Sequence, residues 1–115
     1  MGCEIRQVVM ELTSTVTVPI WVDRNGADPE VAAIWDEYLE ALEAHEFRHR
    51  RLSYLAAREI SVELNRLRVE TCTMMSQHAG ETGERILAKY RALNEEVDQE
   101  RISWPPRAGE AEPQR

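Results

Sequence analysis

The sequence predicts an α+β chain, mostly helical, with an N-terminal strand or β-hairpin followed by two long antiparallel helices. Three observations carry this. Residues 5–18 alternate apolar and polar positions with a period of two. Two later stretches place apolar residues three and four apart, the period of a helix with one buried face. Between them, β-branched Val69 and Thr71 mark a break near Glu70.

The first element is rich in Val and Thr, with apolar alternation at Val8, Met10 and Leu12 and again at Val16, Val18 and Ile20. An isolated pair of strands is marginal in water, so this element must lie against helices or join other strands. Pro19 ends the run, and Asp23-Arg24-Asn25-Gly26 is turn chemistry. Asp28-Pro29 then starts a helix: aspartate can accept from free backbone donors, and proline is favoured at the first helical position.

The first helical stripe is Val31, Trp35, Tyr38, Leu42, His45, His49, Leu52, Ala56, Ile60 and Leu64. A second follows at Cys72, Met75, Ala79, Gly83, Ile86, Tyr90, Leu93 and Val97, with Thr71 as its candidate cap. Its small members Ala79 and Gly83 predict a segment of close contact. The Met and aromatic positions read as core packing rather than a cofactor box. Residues 1–104 form one domain in this reading, and the polar stretch 105–115 is a disordered tail.

The chain has 115 residues, with 14 basic and 21 acidic side chains and a net charge of -7. Such a balance argues against nucleic acid as a partner, because phosphate binding needs a basic surface. The local run Arg48, His49, Arg50, Arg51 reads as part of a solvated helix face, with Glu46 and Arg50 one turn apart. No apolar run is long enough to span a membrane. Residues 1–6 resemble no signal peptide, so with Met1 as the true start the chain would stay in the cytoplasm.

His45-Glu46-Phe47-Arg48-His49 is the segment that carries chemistry. Histidines four residues apart stand one above the other on a helix, so two ring nitrogens can reach one ion. A zincin-type protease uses this arrangement, with the intervening glutamate as general base toward a metal-activated water. One histidine on an apolar stripe is more often an ordinary core residue; the pair with Glu46 between them makes Zn²⁺ binding an equal competitor.

A hairpin folded about Glu70 sets His49 opposite Arg91 and His45 opposite Glu95, so a third ligand should come from that stretch. Asp98, Glu95 and Glu96 all fall near the right height, and a carboxylate beside two imidazoles is a known zinc set. His78, the remaining histidine, would lie roughly 20 Å from His49 and is a poor candidate.

The order Cys3-Glu4-Ile5, then Val16-Thr17-Val18-Pro19-Ile20-Trp21, then Trp35 and Leu42 before the histidine pair resembles a known pattern. It continues through Ala56-Ala57-Arg58-Glu59-Ile60, Cys72, Ile86-Leu87 and Asp98. Together these resemble a bacterial family catalogued as a domain of unknown function and described as secreted zinc-dependent proteases. The resemblance implies a zincin-like helical core, with His45 and His49 as zinc ligands and Glu46 as the catalytic base. It implies a peptide or protein substrate and a secreted or periplasmic location, and leaves the oligomeric state open.

Two departures stand out. Family members carry further strands and a signal peptide before the position of Cys3, so the domain here looks incomplete at its N-terminus. Where the family pattern reads Tyr-Asp-x-x-Thr-x-His-Gly, this chain has Val97-Asp98 and then Ser103 at the histidine position. If that histidine is the family's third ligand, either Asp98 takes its place or the site is weakened. The resemblance also implies a Cys3–Cys72 disulfide, against the alternative of two reduced thiols; such a bridge would stabilise the fold by roughly 3–5 kcal/mol.

Overall fold

In the computed structural model, which describes residues 2–100 and 102, two helices account for most of the chain. The elements run in the order β1 (Cys3–Glu4), α1 (Pro29–Arg66), β2 (Arg68–Val69) and α2 (Cys72–Asp98), with a 3-10 turn at Arg24–Gly26. The expected tail, and Ser103 and Trp104 before it, lie outside the described residues.

α1 has 38 residues, about 57 Å at 1.5 Å per residue. Its start follows from Asp28, whose Oδ1 accepts from the Glu30 amide at 2.8 Å, and from Pro29 in the first turn. It stops because Leu67 turns extended and Arg68 must enter β2; the Arg68 guanidinium then donates to the Asn65 and Leu67 carbonyls, at 3.0 and 2.8 Å. Thr71 caps α2 by accepting from the Met74 amide at 3.4 Å.

α2 folds back antiparallel along α1. Ala56 and Ile60 of α1 meet Ile86 and Tyr90 of α2, with Leu52, Leu55, Leu64 and Leu93 packed round them. Ile86 is 2% exposed, and it is the best-buried large side chain of the core. On the flank of this core Lys89 reaches Glu59 at 2.7 Å, and the Tyr90 hydroxyl donates to the same carboxylate at 3.3 Å.

The two long helices and a small antiparallel strand pair give the expected α+β architecture, but the pairing residues are not those of the alternating stretch 5–18. Only Cys3 and Glu4 pair, antiparallel with Val69 and Arg68, and residues 5–20 take no regular structure. The reason is geometric. Cys3 is bonded to Cys72 at the start of α2, with their Cα atoms 5.1 Å apart, whereas the Trp21 ring packs on Trp35 near the start of α1, at 5.9 Å. These anchors lie towards opposite ends of a molecule 72 Å long, so the segment between them has to run nearly straight at about 3.3 Å per residue. A hairpin would halve that reach. Ile5, Val8, Val16 and Val18 are half-buried, while Val9, Ile20 and Val22 stay exposed.

The expected close contact at Ala79–Gly83 also differs. A Cβ placed on Gly80 or Gly83 would meet nothing within 4 Å. The pairs Glu59–Lys89 and His49–Asp98 set the end of α1 opposite roughly residue 81. The first turns of α2 therefore extend beyond α1, as a mostly extended connection 67–71 allows, and α2 also meets β1 and β2.

Candidate metal centre

His45 and His49 lie one turn apart on α1, on the side that faces the last turns of α2. Both are partly buried, with side-chain exposures of 15% and 23%, so their rings are held by packing while an edge remains open to solvent. The rings stand edge to face with centroids 4.9 Å apart. Asp98, the final residue of α2, brings Oδ1 to 2.7 Å from His49 Nε2 and 3.4 Å from His45 Nε2.

The register is set by the climb of the connection. Folding about Glu70 would put Arg91 and Glu95 opposite the histidines; the overshoot of α2 moves the facing residues about one turn later, to Asn94 and Asp98. Glu95 and Glu96 are exposed and do not join the cluster. His78 lies near the other end of α2, twenty positions before Asp98 in sequence, and is likewise outside it. Among the described residues, His45, His49 and Asp98 form the one group of three or more ligand-type side chains that could hold a metal ion, with ligand atoms all within 4.8 Å of one another.

These atoms suit a small divalent cation. Zinc bonds of about 2.0–2.1 Å in a tetrahedron put neighbouring donors roughly 3.4 Å apart. His45 Nε2 and Asp98 Oδ1 already have that spacing. His49 Nε2 and Asp98 Oδ1 are closer, at a hydrogen-bond distance, so a proton links them and an ion would open the gap by about 0.6 Å. Two imidazoles and a carboxylate are a donor set that zinc accepts, leaving a fourth position free. His45 Nδ1 is buried and finds no hydrogen-bond partner among the described residues.

Electrostatics favour charge at this place. Burial works against a protonated His49, yet its hydrogen bonds to Asn94 and Asp98 and the nearby Asp98 and Glu46 carboxylates together raise its pKa above the ordinary value. Asp98 is held below the usual carboxylate range, chiefly by its hydrogen bond from His49; burial opposes this, and the charge of His49 and the hydrogen bond and charge of His45 add to the lowering. Glu46 is half-buried on the same helix and close enough for its charge to act on His49.

Asn94 was not among the residues that sequence reasoning selected. Its Oδ1 lies 2.6 Å from His49 Nδ1, and its Nδ2 donates to the Tyr90 carbonyl at 2.8 Å. A signal existed: Asn94 and Asp98 are four apart on α2, matching His45 and His49 on α1. Arg48 also departs from the solvated face expected for it, since it pairs with Glu100 just beyond α2, while Arg50 and Arg51 remain exposed.

A family profile described as bacterial protein of unknown function matches residues 1–102. No curated protein and no solved structure shows significant similarity to the chain.

Proposed function

The chain belongs to that bacterial family of unknown function, DUF922, and from the geometry of its helical hairpin we propose that it is a zinc-dependent metallopeptidase-like protein. The observation that carries the reading is the convergence of His45, His49 and Asp98 from helices that meet antiparallel, at distances near those of a zinc tetrahedron.

Zn²⁺ at this position would supply a Lewis acid and lower the pKa of water toward neutrality. The two rings would bind as neutral imidazoles through Nε2, and Asp98 would contribute an anionic oxygen. Glu46 would take a proton from the attacking water and return it to the leaving amine of a peptide or protein substrate. It is the catalytic base in this scheme and not a ligand. The Cys3–Cys72 bridge suits an oxidising compartment, in keeping with a secreted or periplasmic location.

Elemental analysis of the purified protein should find about one zinc per chain, lost on combined His45→Ala and His49→Ala substitution. Glu46→Gln should retain the metal and abolish peptide hydrolysis. A well-folded protein that takes up no zinc would sink the proposal. A second reading, a helical interaction module, draws on the exposed aromatic side chains of Phe47 and Tyr54 on α1. In that case Glu46→Gln leaves the biological phenotype intact, and a partner is still recovered when the histidines are replaced. Zinc bound without turnover on any peptide would mark a binding site that does not hydrolyse.

A further inference from the structure

We infer that Asn94 fixes the tautomer of His49, holding the ring proton on Nδ1 so that the Nε2 lone pair points to the place between the two histidines and Asp98.

A neutral imidazole has one N–H and one lone pair, and only the lone pair binds a metal. Which nitrogen carries the proton depends on what each faces. Asn94 can present either an oxygen or an NH₂ group to the ring, and the wrong choice would put two donors together. Here the choice is made by α2 itself. The Asn94 amide nitrogen is used on the Tyr90 carbonyl at 2.8 Å, and Tyr90 is a buried member of the core. What remains toward His49 is Oδ1, which can only accept. A proton is therefore favoured at Nδ1.

His45 shows what the absence of such a partner means. Its Nδ1 is buried with no acceptor among the described residues, so a proton there is unsatisfied. Its Nε2 faces the Asp98 carboxylate at 3.4 Å, which favours the proton on the very nitrogen that must be bare for ligation. Both rings face Asp98 through Nε2, but only His49 has an acceptor at Nδ1 that can keep its proton once a cation engages Asp98, so metal binding by the pair leans on Asn94. Asp98 competes for the His49 proton through Nε2, but an ion between them would engage that carboxylate and leave Asn94 as the sole acceptor.

The role of Asn94 rests on the metal-centre reading for its purpose, but the tautomer can be measured without any metal. In metal-free, ¹⁵N-labelled Asp98→Ala protein, at a pH where the ring is neutral, long-range ¹H–¹⁵N spectra should show His49 mainly protonated on Nδ1. Adding Asn94→Leu should move it toward the Nε2–H form that an unconstrained histidine prefers. In the otherwise native chain, Asn94→Leu should weaken zinc binding about 10- to 100-fold, and Asn94→Asp, which still offers an acceptor, should recover most of the loss. An unchanged His49 tautomer in the double variant, or zinc affinity unaffected by Asn94→Leu, would overturn the inference. Failure of the native chain to bind zinc would instead count against the metal centre, with the tautomer result standing on its own.

Discussion

The two ends of the helical hairpin are fastened by different chemistry. Where α2 begins, its first turns overhang α1, and the N-terminal segment is tied there by the Cys3–Cys72 bond and a two-residue strand pair. Where α2 ends, the helices lie side by side, and His49, Asn94 and Asp98 join them through hydrogen bonds and charge. The first fastening responds to reductant, and its disulfide does not titrate. The second rests on His49 and Asp98 and responds to pH, and under the proposed function it would respond to metal as well, so each could be released while the other holds.

The largest effect should come from the covalent end. Replacing Cys3 and Cys72 by serine frees a loop of 69 residues in the unfolded chain and should lower stability by about 3–5 kcal/mol, measured by denaturant unfolding. Zinc affinity should change far less, because the ligands all belong to α1 and α2. Loss of zinc binding on reduction alone would mean that the two ends are coupled. Next comes the metal itself: zinc at 100 times its dissociation constant should stabilise the fold by about 2.7 kcal/mol, removable by chelator and absent in the Asp98→Ala variant.

A smaller effect is expected from pH, with opposite sign in the metal-free and zinc-bound proteins. The raised pKa of His49 gives a contribution fully present below the ordinary value of 6.5 and lost as pH rises through the higher folded value. The lowered pKa of Asp98 gives one present above 3.8 and lost as pH falls through the lower folded value. The metal-free helix contact is therefore firmest between about 3.8 and 6.5. Zinc needs the neutral ring and displaces its proton, so its stabilisation should grow with rising pH. Thermal unfolding followed from pH 5 to 8, with chelator and with zinc, should give slopes of opposite sign.

The helices could be read from the sequence because their signals are local: Asp28-Pro29 and Thr71 mark the starts, and the three-and-four spacing marks the buried faces. The extended course of residues 5–20 could not, because alternation reports a period of two whether or not a neighbouring strand exists. What decides it is the distance between two anchors, Cys3 at Cys72 and Trp21 at Trp35. At the candidate site, His45, Glu46 and His49 announce themselves by spacing within one helix. Asn94 does not, because its role depends on the register between helices, and that register depends on how far five connecting residues climb. An assumed symmetric turn misplaces it by about one helical turn.

The smallest predicted effect tests the overhang at the covalent end. Gly80 lies within α2 and is exposed, and a methyl group there would meet nothing within 4 Å. Its cost is then conformational alone, because glycine loses more backbone freedom than alanine on entering a helix. Gly80→Ala should raise stability by about 0.5–1 kcal/mol in denaturant unfolding, in both the oxidised protein and the Cys3→Ser, Cys72→Ser variant. The gains should add, since no contact links the two changes, and zinc affinity should stay the same. A loss of stability would mean that α1 or the N-terminal segment approaches Gly80 closely. Beyond the buried Met75 of its first turn, the start of α2 would then also be packed along this stretch, and the contrast between the two ends would weaken.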